Sequence, residues 1–252
     1  MRWRGCAALL AGEPASPYVD LASATRRSVN RMDFVFMLTR SDQTVPDCLE
    51  VLDEIRPLGL RHIGFKDVGV PPDVLAELCR RIKDTGAISY MEVVSTSTEA
   101  CLRSARVARD IAIDRLLGGT QVDDVLAILA GSAVRYLPFP GRPFDHPTKL
   151  AGTPAQIEDD CRRFRALGCE GVDLLAYRAT EADPLDLVRA ARRGTDGFLL
   201  VAGSVQRVDQ IRALAAAGAD AFTIGSAAFD GSFSPRMGSL RSQLRAVLDA
   251  CS

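Results

Sequence analysis

No stretch of this sequence approaches the roughly 18 consecutive apolar residues of a membrane-spanning helix, so a spanning segment is excluded. Histidine is scarce. Only His62 and His146 occur, which excludes a metal centre or phosphoesterase site built on three or four imidazoles. Charge of one sign is also lacking: 31 Lys and Arg stand against 32 Asp and Glu, a formal net charge of −1. That balance gives no electrostatic case for nucleic acid or an anionic membrane as partner. The seven cysteines contain no CxxC pair, and their odd number leaves at least one thiol free. No GxGxxG follows the first strand pattern, so a dinucleotide-binding sheet has no support. No cofactor and no metal is therefore expected. What is present, 47% apolar and 25% charged residues over 252 positions, is the composition of a soluble globular chain of one large or two small domains.

Cys48, Cys79, Cys101 and Cys161 fall among leucines and isoleucines in helical patterns, where a reduced cysteine is a small apolar filler. This usage points to a reducing, cytoplasmic setting. Residues 1–31 have a basic start and a short apolar run, CAALLAG, at the short limit for a secretory segment. The expectation is a weakly ordered extension outside the fold, with Met32 a candidate natural start.

From Asp33 onward one unit recurs: a short apolar run rich in β-branched or aromatic residues, a polar or glycine turn, a helical pattern, and often a terminating glycine. The strands read at 33–40, 61–67, 88–95, 114–120, 134–141, 171–177, 197–204 and 221–226. Thr153-Pro154-Ala155-Gln156 is a capping box with proline at the first helical position, and Asp183-Pro184 opens the next helix similarly. Gly59, Gly86, Gly168 and Gly218 stand where helices end. Strands alternating with helices imply parallel pairing through right-handed crossovers. Eight units in residues 32–252 predict one α/β domain, a single (β/α)8 TIM barrel, with an open doubly wound sheet as the alternative.

In such a barrel the active site lies at the C-terminal ends of the strands. Strand period two turns Lys66 and Glu92 inward from neighbouring strands, with Asp173 deeper on the sixth strand and Tyr177 above it. Burying a lysine or a glutamate alone costs several kcal/mol. The pair therefore reads either as a structural ion pair or as groups tuned for proton transfer, with Lys66 as a Schiff-base amine a further option. Asp173 reads equally as an acid or base and as a structural carboxyl, while Asp67 is expected to point outward and cap the next helix. Arg40, Asp42 and Arg178 sit at strand ends or in the loops that follow.

VAGSV (201–205) and TIGSA (223–227) each place Gly-Ser between an apolar strand and a helix. Successive backbone N–H groups in such turns favour a dianion, which assigns phosphate to Gly203, Ser204, Gly225 and Ser226. The long connection PFPGRPFDHPTKLAG (138–152) carries Arg142, His146 and Lys149 and reads as a lid or clamp. LLGGT (116–120) leaves Gly119 as room for substrate.

The segment VAGSVQRVDQIRALAAAGADAFTIGSAAFDG resembles the ribulose-phosphate-binding barrel superfamily, and within it most nearly N-acetylmannosamine-6-phosphate epimerase and the histidine-pathway barrels. The resemblance implies that Gly203, Ser204, Gly225 and Ser226 hold a substrate phosphate. It also implies a lysine and a glutamate as acid and base, with Lys66 matching the lysine. The glutamate of the seventh-strand turn gives way here to Gly203-Ser204, so Glu92 would take its role. The Asp-x-Lys-x-x-Asp array of the decarboxylase group is absent, because Lys66-Asp67 leads into Val68-Gly69. The expectation is an isomerase or epimerase acting on a small phosphorylated carbonyl compound, with Lys66, Glu92 and Asp173 catalytic. Arg40, Gly119, Arg142, His146, Tyr177 and Arg178 are expected at the substrate, and a homo-oligomer is possible. An aldolase-type lyase using Lys66 and a non-catalytic phosphometabolite sensor are the alternatives.

Overall fold

In the computed structural model, residues 32–251 are described; the N-terminal extension expected at 1–31 lies outside them. Eight strands form one parallel sheet: β1 (Asp33–Met37), β2 (His62–Lys66), β3 (Ile88–Glu92), β4 (Arg115–Leu117), β5 (Arg135–Leu137), β6 (Gly171–Leu174), β7 (Phe198–Val201) and β8 (Ala221–Ile224). Their order is β6-β7-β8-β1-β2-β3-β4-β5. The β5 and β6 edges meet through Glu170 N–H on Tyr136 O (3.2 Å) and Asp173 N–H on Pro138 O (3.0 Å). These bonds close the sheet into the (β/α)8 barrel. Between the strands run α1 (Cys48–Ile55), α2 (Pro72–Asp84), α3 (Thr98–Asp110), α4 (Val122–Leu129), α5 (Pro154–Ala166), α6 (Pro184–Gly194) and α7 (Val208–Ala217). A short helix (Ser226–Phe229) and α8 (Leu240–Ala250) follow β8. None of the described helices is long and apolar enough to cross a membrane.

Strand period two sorts the side chains into two cores. Outward residues such as Phe36, Ile63, Phe65, Met91 and Val201 pack against the inner faces of the helices. Inward residues Val35, Met37, Tyr90, Leu117, Leu137, Leu200 and Ala221 fill the barrel. Each such burial is worth about 1.5–3 kcal/mol for a large apolar side chain, so register is strongly specified. The predicted helix starts are present: Thr153 and Gln156 form the full capping box of α5, and the Asp183 carboxylate accepts the Leu185 and Asp186 amides. Gly59, Gly86, Gly168 and Gly218 all have positive φ. The six described cysteines are buried, and burial pushes the thiols of Cys79, Cys101, Cys161 and Cys169 up, away from reactivity.

The N-terminal end of the barrel is plugged by charge. Arg115 donates to Glu170 Oε1 at 2.9 Å and lies 4.2 Å over the Phe198 ring. His62 is buried there, with Nδ1 3.0 Å from the Tyr90 hydroxyl. Its Nε2 faces Asp33 Oδ1 at 3.5 Å, at the end opposite the C-terminal rim.

Two small hairpins stand on that rim. Thr39–Arg40 pairs with Gln43–Thr44 after β1, and Arg142–Phe144 pairs with Lys149–Ala151 after β5. Their two- and three-residue strands carry no period that a sequence reading can detect.

Candidate active site

The β2–β3 register sets Lys66 directly beside Glu92, and the Lys66 ammonium donates to Glu92 Oε1 at 3.0 Å. A second carboxylate completes the contact. Lys66 Nζ lies 2.8 Å from Asp42 Oδ1, on the hairpin after β1. Arg178, in the 3-10 turn that follows β6, grips the same carboxylate in bidentate fashion, Nη1 to Oδ2 and Nη2 to Oδ1, each at 2.9 Å. Its Nη1 also reaches Thr148 O at 3.2 Å. Lys66, Asp42 and Glu92 are 5%, 7% and 6% exposed, so these charges interact with little solvent between them.

Burial opposes the charge on Lys66, but Glu92 and Asp42 outweigh it and hold the amine above its ordinary range. Lys66 is therefore an ammonium at neutral pH. Burial likewise resists ionisation of Asp42, and the hydrogen bonds from Arg178 with the charge of Lys66 reverse this and hold its carboxyl below the usual carboxylate range. Asp173 behaves oppositely. It is fully enclosed and, among the described residues, neither of its carboxyl oxygens has a hydrogen-bond partner. Burial, reinforced by the nearby charge of Glu92, pushes its pKa well above the ordinary carboxyl value despite Lys66 and Arg178.

These groups floor a cavity of about 430 Å³ at the C-terminal end of the barrel. It is lined as well by Gly203, Ser204, Val205, Gly225, Ser226 and Ala227, and by Thr39, Pro147, Thr148 and Lys149. Among the described residues, no hydrogen bond uses the backbone N–H groups of Gly203, Ser204, Val205, Ser226 or Ala227 as donor to a protein group. Gly203 has φ +80°, and a Cβ there would lie 2.8–2.9 Å from the Arg178 side chain. Only glycine lets this turn and the guanidinium approach so closely. Ser204 follows at φ +61°, continuing the left-handed turn.

Of the residues expected from the sequence, Lys66, Glu92, Arg178, Gly203, Ser204, Gly225 and Ser226 line this one cavity. Asp173 is fully buried and is not part of the lining. Five others are placed elsewhere. Arg40 pairs with Asp230 at 3.2 Å and lies over the Phe229 ring, because the chain turns into the hairpin immediately after β1. Tyr177 does not point inward: β6 ends at Leu174, and the following 3-10 turn breaks the strand period. It packs against the outer core instead. Gly119 makes no room for substrate, since a Cβ there would meet Cys101 Sγ at 2.5 Å. Arg142 turns to Gln156 and Glu181, and His146, joined to Pro147 by a cis peptide, is exposed and outside the lining. Asp67 caps no helix; it accepts the Val94 amide at 3.0 Å and the Ser104 hydroxyl at 2.5 Å, tying β2 to α3.

The strongest omission is Asp42. Its turn has two consecutive non-glycine residues at positive φ, Ser41 at 51° and Asp42 at 58°, a conformation that aspartate tolerates but no hydrophobic period announces. Lysine usage offers a signal for Lys149. Three of the 31 basic residues are lysine, Lys66, Lys83 and Lys149, and two of these line the cavity.

The fold and the site together define a (β/α)8 barrel whose cavity is lined both by buried charged side chains and by backbone amides unpaired among the described residues. Among solved structures the chain is similar to orotidine 5'-phosphate decarboxylase from Pyrococcus horikoshii OT3, with TM-score 0.58 and 15% identity over 86% of this chain and 98% of that one. It is also similar to the Amycolatopsis orientalis BexX/CysO complex, with TM-score 0.57 and 17% identity over 88% of each chain. At these identities the likeness establishes the barrel fold alone. No protein-family model matches the chain, and no curated protein matches it in sequence.

Proposed function

We propose that the protein is an isomerase or epimerase that moves a proton next to the carbonyl of a small phosphorylated compound. The observation that carries this reading is that one cavity of about 430 Å³ is lined both by a lysine–glutamate pair and by two Gly-Ser turns with unpaired amides. The turns receive the phosphate, since clustered N–H donors with no internal partner favour a dianion. The superfamily resemblance of the same turns and the likeness to a decarboxylase of a 5'-phosphate support this end of the reading.

With phosphate on the turns, the carbonyl end of the substrate faces Lys66 and Glu92. Glu92 removes the proton from the carbon next to the carbonyl. The C–H electron pair forms the enediolate double bond, and the carbonyl π electrons move onto oxygen. The Lys66 ammonium and the Arg178 guanidinium stabilise that oxyanion. Return of the proton by Glu92 to the former carbonyl carbon, as the adjacent hydroxyl passes its proton to the first oxyanion and its oxygen becomes the new carbonyl, gives isomerisation. Delivery by Lys66 to the opposite face of the original carbon re-forms the original carbonyl and gives inversion, after which a proton passes from Glu92 back to Lys66. A Schiff base is favoured less. It needs a neutral amine, and carboxylates at 2.8 and 3.0 Å hold Lys66 protonated.

A thermal-shift panel of phosphorylated aldoses, ketoses and keto acids, each beside its dephosphorylated form, tests the assignment. Stabilisation is expected only from phosphorylated members, with no borohydride-reduced adduct on Lys66. A reduced adduct would transfer the reading to an aldolase-type lyase, and stabilisation without turnover to a phosphometabolite sensor. Gly203→Ala should weaken inorganic phosphate binding at least about tenfold, or about 1.4 kcal/mol, read by titration calorimetry. The added methyl strains the left-handed turn and displaces Arg178.

A further inference from the structure

Asp42 is contacted by both cations of the floor, yet it comes from neither of their strands. Its hairpin is seated on β2, where Thr44 Oγ1 donates to Lys66 O and accepts the Lys66 amide, both at 2.8 Å. The same hairpin also packs against the turn after β8, for a Cβ on Gly225 would lie 2.6 Å from Thr39 Oγ1. One six-residue segment thus contacts the lysine strand, the turn after β8 and, through Asp42, the guanidinium that follows β6.

We propose that Asp42 is the positioning residue of this site, its single carboxylate fixing the Lys66 ammonium against Glu92 and the Arg178 guanidinium against the Gly203 turn. The geometry divides the labour between the two carboxylates. Asp42 is saturated by three charge-assisted bonds of 2.8–2.9 Å, from one ammonium and two guanidinium nitrogens, and is not free to accept a substrate proton. Glu92 carries a single bond from Lys66 and is the carboxylate left to exchange one. Asp42 therefore acts through Lys66 and Arg178 rather than on the substrate. This inference rests on the reading of Lys66 as proton donor, but its test does not need the substrate.

Lys66 is faced by Asp42 from the hairpin, Glu92 from β3, Asp173 from β6 and Arg178 from the turn beyond β6. Removing a negative and a positive neighbour should therefore move its titration in opposite directions. With three lysines in the chain, the 13Cε and 15Nζ signals of labelled lysine are assignable by substitution of each. Asp42→Asn should lower the Lys66 midpoint by at least about one unit, a tenfold rise in neutral amine at a given alkaline pH. Arg178→Gln should leave it in place or raise it. A carboxylate that merely fastened the hairpin would move both variants the same way, and that result, or an unchanged midpoint in Asp42→Asn, overturns the proposal. If Asp42→Asn folds poorly, the direction in Arg178→Gln decides, since a downward shift there contradicts the assignment. Absence of turnover with every phosphorylated carbonyl compound would refute the proposed reaction and leave this readout intact.

Discussion

Lys66→Met abolishes turnover, by at least about 10³-fold, while a phosphorylated ligand still binds within about tenfold of the wild type. The size follows from the two roles assigned to the ammonium. It stabilises the developing oxyanion and supplies a proton, and removal of either such function typically costs 10²–10⁴-fold. Binding is spared because the phosphate is assigned to the backbone amides of the Gly203-Ser204 and Gly225-Ser226 turns, which line the same cavity but do not include the Lys66 side chain. Methionine matches the length of the lysine stem and leaves the β2–β3 register, with Lys66 beside Glu92, undisturbed. The variant does leave Glu92 without its ammonium. Uncompensated buried charge is destabilising by up to about 3–5 kcal/mol; the effect is moderated at Asp42 by its bidentate bond to Arg178. Circular dichroism and a melting curve must therefore accompany the assay. Turnover surviving in a folded Lys66→Met protein contradicts the assignment.

Asp173→Asn has the opposite signature: the protein becomes more stable and less active. Asp173 is completely buried with neither carboxyl oxygen partnered among the described residues, so the folded state favours its neutral form. The unfolded chain ionises it near the ordinary carboxyl value of about 3.9. A pKa raised on folding contributes stability below the unfolded value, and this is lost progressively as pH rises toward the folded value. At pH 8 the wild type thus bears a cost that asparagine, with the same shape and no charge to bury, avoids. The expected gain is about 1–3 kcal/mol at pH 8, and melting points rise about 2–4 °C per kcal/mol for a domain of this size. The gain should vanish as pH falls toward 4. Turnover falls because asparagine removes the carboxyl proton held near Glu92. An Asp173→Asn protein less stable than the wild type at pH 8 would show that the carboxyl is a structural group. Stability given up at a site in return for chemistry is a known trade.

The barrel was legible because its information is periodic. All eight strands begin within about a residue of their expected starts, since alternation of Phe36, Ile63 or Met91 outward with Val35, Gly64 or Tyr90 inward repeats along each. Their C-terminal ends are less legible. The apolar character of 171–177 continues past the point where β6 stops at Leu174, and Tyr177 was assigned by a period that no longer applied. Lys66 and Glu92 were found because charge inside a barrel conflicts with an apolar environment. Lys149 is legible only as part of the long 138–152 connection, and Asp42 is not legible as a site residue, because it stands in a hairpin whose strands are two residues long. Glycine was ambiguous for a physical reason. Gly203 serves close approach of Arg178 at the cavity, whereas Gly118 and Gly119 serve close packing of Phe139 and Cys101 behind it. The sequence alone does not distinguish the two uses.

Solvent-deuterium incorporation tests the central claim most directly. The wild-type protein and Glu92→Gln are incubated in D2O with each phosphorylated carbonyl compound that stabilises the wild type, and the carbon next to the carbonyl is observed by NMR. Exchange at that carbon by the wild type, lost at least about 10³-fold in Glu92→Gln with ligand stabilisation retained, is the predicted result. Wild-type protein that binds these compounds and never exchanges that proton, or a Glu92→Gln protein that exchanges it at the wild-type rate, contradicts the account.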